Sequence, residues 1–235
     1  MDYTLIRSKR RTVAIHIIDG GVEVRAPLRM SRRDIDRFVI SKEKWISDKL
    51  AKSKEQAKRR EAFALDYGDA VLYRGKPCPI IAREGRRPGF DGTAFYMPPG
   101  LTPEEIMGAC MKVYRVLAKD YFAARAFELA ARMGVRPAAV RISGAKTRWG
   151  SCSVKKNINF SWRLIMADDE VIDYVIVHEL AHLKEMNHSA GFWAVVEGVM
   201  PDYRKRKAGL REVQRRLAVE DWRNADASAK KRFQT

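Results

Sequence analysis

An α+β fold, with a small β-sheet over a buried helix and a β-rich N-terminal portion, is the class this sequence predicts. Three observations predict it. Short β-branched segments cluster before residue 98, stretches with helical apolar spacing dominate after it, and short alternating segments interrupt the second half between residues 140 and 162. A chain of 235 residues is long enough to bury a substantial core.

Residues 12–27 read as two β-branched strands around a turn at Asp19-Gly20-Gly21, where glycine accepts positive φ. Ser31 offers a hydroxyl to the first free amides of a helix and Asp34 an acid in its first turn. Helix is therefore expected through Trp45, Ile46 and Leu50, with a charged, solvated continuation to about Arg60. Short strands follow over 70–97, with a turn at Arg74-Gly75-Lys76 and an exposed loop at 86–89; Pro98-Pro99-Gly100 reads as a linker. Thr102, Pro103 and Glu105 combine a capping hydroxyl, a proline at the first helical position and an acid at the third. That helix runs, with or without a break, to a stop at Gly134. Strand pattern returns at 140–142 and 158–162, on either side of Arg148-Trp149-Gly150-Ser151-Cys152. The remainder is helical: 168–186, 191–199 and 203 to about 222. The expected division is a β-rich α+β portion over 1–98, a second domain over 99–222 and a polar basic tail over 223–235.

Lys and Arg total 46 against 29 Asp and Glu, a formal net charge of +17. That balance favours contact with polyanions, such as a nucleotide or nucleic acid, or with acidic substrates. No recognised nucleic-acid motif accompanies it. No stretch reaches the ~20 consecutive apolar residues of a membrane span, so no membrane partner is expected. The N-terminal sequence lacks a basic region followed by an apolar run, which leads to the expectation of a cytoplasmic protein. Cys78, Cys110 and Cys152 are odd in number and widely spaced, indicating neither a disulfide framework nor a cysteine zinc site.

Three of the four histidines fall in one eleven-residue stretch. His178-Glu179-Leu180-Ala181-His182 follows the apolar run 171–177 and the acids Asp168, Asp169 and Glu170, which suit a helix N-terminus. Positions four apart stack on one helix face. Both imidazoles can therefore ligate one zinc ion, with Glu179 beside them as general base toward a water. A catalytic zinc takes three protein ligands, and His188 is the nearest candidate for the third. Helical order ending around Asn187, a residue tolerant of the left-handed conformation, would let the chain bring His188 back. Glu197, on the following helix, is the rival ligand. Where the metzincin pattern has a glycine this chain has Glu185, so the turn differs, and Met200 reads as core rather than as a Met-turn residue. Arg148 and Tyr203 are candidate donors to a developing oxyanion. Trp149 reads equally as a wall of the cleft or as core.

Taken together, Arg148-Trp149-Gly150-Ser151-Cys152, the run Val177-His-Glu-Leu-Ala-His-Leu183 and Asn187-His188-Ser189 with Phe192-Trp193 resemble the YgjP-like metallopeptidase family. The resemblance covers most of the chain and is weakest after Tyr203. It implies a small zincin-like α+β fold, zinc bound by His178, His182 and His188, and peptidase activity on a peptide or protein substrate. In zincins an edge strand lies above the active-site helix. Arg148, Trp149, Gly150 and Ser151 fall in the stretch suited to that role, pairing backbone with an extended peptide. Some members of the family are assigned pyrophosphatase activity on UTP, and a more distant resemblance to SprT-type proteases brings in a nucleic-acid-associated protease. Against the nucleotide reaction, the sequence has no Gly-rich phosphate loop, and magnesium-dependent phosphoryl chemistry usually uses clustered carboxylates.

Overall fold

In the computed structural model, which describes residues 2–18, 20–220 and Trp222, the N-terminal sequence forms a three-stranded sheet of Thr4–Ser8 (β1), Ala14–Ile18 (β2) and Gly21–Pro27 (β3). β2 and β3 are the antiparallel hairpin expected from the sequence, and Asp19 of its turn lies outside the described residues. β1 was not expected. It pairs in parallel with β3, giving the order β1-β3-β2. Val22, Val24 and Ala26 alternate onto the buried face of β3 and meet Ile35, Val39 and Ile46 in one apolar cluster. Ile35 and Val39 belong to helix Arg32–Ser41 (α1), whose N-cap Ser31 accepts from the Asp34 amide at 3.1 Å. The single helix expected here is two: torsions leave the helical range at Lys42 (φ −111°, ψ 9°), and Glu43–Glu61 (α2) follows. These residues, up to Phe63 together with 218–220, make one compact unit; Ala64–Leu217 with Trp222 make the other. The polar basic tail expected over 223–235 lies outside the described residues.

Within the second unit, Ala70–Tyr73 (β4), Lys76–Ala82 (β5), Gly89–Phe90 (β6) and Phe95–Met97 (β7) form a sheet of order β4-β5-β7-β6. The β4–β5 turn uses left-handed torsions at both Arg74 (φ 50°) and Gly75 (φ 76°), the geometry of a tight hairpin. Pro103–Met133 (α3) starts at a complete capping box, with Thr102 and Glu105 exchanging side-chain bonds to each other's backbone amides. It runs unbroken for 31 residues to Gly134, which adopts the left-handed cap (φ 63°).

Ala139–Ser143 (β8), Gly150–Cys152 (β9) and Asn157–Ser161 (β10) make the third sheet, ordered β8-β10-β9. β10 is parallel to β8 and antiparallel to β9, so β9 is an edge strand. A 3-10 turn over Trp162–Met166 leads to Asp169–Ala181 (α4), whose Val171, Ile172, Val175, Ile176 and Leu180 are buried. A helix apolar on most of its circumference belongs inside a fold. Its flank is tied to α3 by the two-bond Arg125–Asp173 ion pair at 2.8 and 2.6 Å. Ala190–Val199 (α5) and Tyr203–Leu217 (α6) complete the unit. Among the described residues, all three cysteines are free, and no helix is long and apolar enough to cross a membrane.

Candidate metal centre

His178 and Glu179 lie on the last turn of α4 and His182 caps it, so the helix itself sets the four-residue stack of the two imidazoles. α4 ends earlier than the expected residue 186. Beyond Ala181 the backbone tightens, with the amides of Leu183, Lys184 and Glu185 bonding to the carbonyls of Leu180 and Ala181. Nor does Asn187 take left-handed torsions, since Arg74 and Lys156 are the described non-glycine residues with positive φ. Instead the Asn187 carboxamide oxygen accepts the Ser189 amide at 3.1 Å, and the Ser189 hydroxyl accepts the Phe192 amide at 3.3 Å as N-cap of α5. Two consecutive side-chain-to-backbone bonds thus turn the chain at His188 and start the next helix.

That turn brings the three histidines together. One ligand atom from each of His178, His182 and His188 lies within 4.8 Å of the others. His178 Nε2 and His188 Nε2 are 3.0 Å apart. A tetrahedral ion with metal–nitrogen bonds of ~2.0–2.1 Å separates its ligand nitrogens by about 3.3 Å, so the His178–His188 pair stands near the spacing of two ligands on one divalent cation. His182 Nδ1 donates to the Glu185 carbonyl at 3.0 Å, because a carbonyl only accepts. Its tautomer leaves Nε2 free for a cation. His178 Nδ1 is buried without a hydrogen-bond partner among the described residues. Phe192, fully buried, packs beneath all three rings at centroid distances of 4.9, 4.6 and 4.7 Å. His188 is exposed, so the site has an open side. Glu197 is also exposed and stands outside the histidine group.

Glu179 is only 6% exposed. Burial pushes its carboxyl up to about 7, and the charge of Arg148 acts against the rise. Burial also pushes His178 down to about 3, reinforced by His182, His188 and Lys207. His188 is lowered by burial and then by His182 and Lys207. Imidazoles held neutral in this way present lone pairs for which protons do not compete.

β9 lies against this end of α4. A Cβ built at Gly150 would stand 2.6 Å from both Cγ and Oε1 of Glu179, so strand and carboxyl touch where glycine alone fits. The Ser161 amide donates to the Trp149 carbonyl at 2.8 Å, continuing the β10–β9 ladder past Gly150. Trp149, Gly150 and Ser151 are half-buried and Arg148 is exposed. Tyr203 is buried and stacks on Trp193 at 5.2 Å; Met200 is buried at the end of α5. The Phe192 floor and Lys207 were not foreseen as site residues. The signal for Lys207 was the basic spacing of α6, which reads first as a solvated face.

The model of the YgjP-like metallopeptidase domain matches residues 11–213 of this chain. Among solved structures, the metallopeptidase zymogen of Pyrococcus abyssi abylysin is 28% identical, with a TM-score of 0.36 over 40% of this chain and 92% of that one. The zymogen of Methanocaldococcus jannaschii jannalysin is 22% identical, with a TM-score of 0.34 over 39% and 93%. No curated protein matches the chain.

Proposed function

This chain belongs to the YgjP-like metallopeptidase family, and from that premise we propose that it hydrolyses peptide bonds with zinc held by His178, His182 and His188 and with Glu179 as general base. The observation that carries the reading is the convergence of three imidazole nitrogens within 4.8 Å, one of them from the residue that precedes the buried Glu179 on α4. Zinc in such a site supplies a Lewis acid that polarises the scissile carbonyl and lowers the pKa of a water to ~7.

This chain's own residues do the rest. Glu179 takes the proton of the attacking water and delivers it to the leaving amine, a general base and then general acid at one carboxyl. β9 offers the unpaired backbone groups of an edge strand, to which an extended substrate adds as a further strand. Because Gly150 rests on Glu179, a peptide aligned along Trp149, Gly150 and Ser151 passes the carboxyl at close range. Arg148 has its charge within reach of Glu179 and is the candidate donor to the oxyanion. Tyr203, stacked behind Trp193, is the weaker candidate.

The test is hydrolysis of unfolded casein and of UTP, side by side, by wild type and Glu179→Gln, with zinc or magnesium as the only added metal. Zinc-dependent casein cleavage that the variant lacks, with zinc still bound, is the expected result. An active Glu179→Gln enzyme would sink the mechanism, and variant-sensitive release of pyrophosphate from UTP, with casein intact, would move the same residues to phosphoanhydride chemistry.

A further inference from the structure

Arg204, Lys207 and Arg211 recur at spacings of three and four along α6 and so share one face of it. Together with Trp193, Tyr203 and Ala208 they line an open cavity of 420 Å³. Two other cations of the same helix are neutralised: Arg206 pairs with Asp202 and Arg215 with Glu212. The three cavity cations have no such ion pair among the described residues; Arg204 is engaged first by Tyr203, whose ring it overlies at 5.4 Å, and then by the negative charge of Glu197, which does not reach ion-pair contact.

The cavity adjoins the histidines. Its indole wall, Trp193, lies 6.0 Å from the His178 ring and 5.9 Å from the His188 ring, centroid to centroid. Lys207 Nζ stands 5.0 Å from that same indole. The cationic face is also held in position. Tyr203 stacks on Trp193 at 5.2 Å, and α6 approaches α4 so closely at Gly209 that a Cβ there would meet Val171 Cγ2 at 2.8 Å. An extended peptide advances ~3.3 Å per residue, so a group one or two residues from a bond cut at the histidines reaches this space. The indole suits a short methylene stem, and the two guanidinium forks with one ammonium suit a carboxylate at its end.

Resting on the peptidase reading above, we propose that Arg204, Lys207 and Arg211 over Trp193 form a specificity subsite for a carboxylate flanking the cleaved bond, from an acidic side chain or a peptide C-terminus. Phosphate would feel the same charges, but the carboxylate is the anion that a peptidase's own substrates carry.

The experiment exposes a mixed library of proteome-derived peptides to the zinc-loaded full-length protein and maps the cleavage sites by mass spectrometry. Wild type should enrich Asp or Glu, or a free C-terminal carboxylate, at one position near the cut, by about tenfold over Gln or Asn. A synthetic peptide set made with either a free or an amidated C-terminus and with its Asp and Glu side chains intact separates the two sources: enrichment that survives in the amides is side-chain recognition, and enrichment that disappears is C-terminal recognition. Lys207→Glu and Arg211→Glu should each abolish the preference or turn it toward Lys and Arg. Lys205→Glu, with the same change of net charge outside the cavity, should leave it intact. Glu179-dependent cleavage with no acidic preference, or with the preference intact in both cavity variants, overturns this inference alone. Absence of any Glu179-dependent cleavage overturns the peptidase reading and the subsite with it. Pyrophosphate release from UTP that falls in Lys207→Glu while peptide preference stays put assigns the cations to phosphate instead.

Discussion

Substituting Gly150 by alanine separates the fold from the chemistry. The added Cβ would lie 2.6 Å from Glu179 Cγ and Oε1 and 2.8 Å from Cδ. An ordinary carbon contact needs at least about 3.4 Å, so about 0.8 Å must be absorbed. Neither backbone yields readily: Gly150 is paired with Phe160 in the ladder, and Glu179 sits on a buried helix. The carboxyl end of Glu179 is the part that swings. A side chain moving off its best rotamer costs on the order of 1 kcal/mol, which lowers the melting temperature of a unit this size by about 2–4 °C. The catalytic loss is larger, because displacing a reacting group by about 1 Å costs on the order of 10²-fold in rate. We therefore expect Gly150→Ala to fold, to bind zinc at one equivalent through the untouched histidines, and to lose about 10²-fold in kcat/KM on casein. Calorimetry, metal analysis and a fluorescent casein assay measure the three. Near-wild-type activity in a folded, zinc-replete Gly150→Ala would refute the reasoning from the contact between β9 and Glu179 to the proposed chemistry.

Three further outcomes follow from the same geometry. Phe192→Ala removes the fully buried floor under all three imidazoles and should destabilise the protein by about 3–5 kcal/mol while weakening zinc binding, read by denaturant melts and competitive chelator titration. Thr102→Ala breaks the capping box of α3, far from the histidines along the chain, and should cost about 1 kcal/mol in the same melts with zinc affinity unchanged. For Glu179 the folded-state pKa is raised from 4.5 to about 7, so the fold binds this proton more tightly than the unfolded chain. Its stabilisation is full below pH 4.5 and is lost as pH rises through about 7. In chelator-treated protein, the melting temperature of Glu179→Gln relative to wild type should therefore climb between pH 4.5 and 7; a constant difference would contradict the buried, unpaired carboxyl.

Local chemistry made much of the architecture readable in the sequence. Ser31, Thr102 and Gly134 mark helix ends through bonds made within a few residues, and each is where the sequence indicated. β1 escaped notice because its residues are mostly exposed and show no alternation, and its partner in β3 is about twenty residues away. The division at Lys42 has no glycine or proline to announce it. At the metal centre, the helical spacing of His178 and His182 was legible, and so was the nearness of His188. How the chain turns at Asn187 was not, because Asn serves a left-handed turn and a side-chain acceptor equally well. The contact of Gly150 with Glu179 joins residues 29 positions apart in sequence, and no local pattern encodes it.

Burial also acts on the two kinds of site residue in a related way. It keeps His178 neutral by lowering its pKa to about 3, and it raises the Glu179 carboxyl to about 7, where both of its forms are populated near neutral pH. Neutral imidazoles are what a cation needs, and a carboxyl poised near the working pH is what a general base needs. A divalent cation held by the three histidines would favour the ionised form of a carboxyl within its field, so the rise at Glu179 belongs to the metal-free protein.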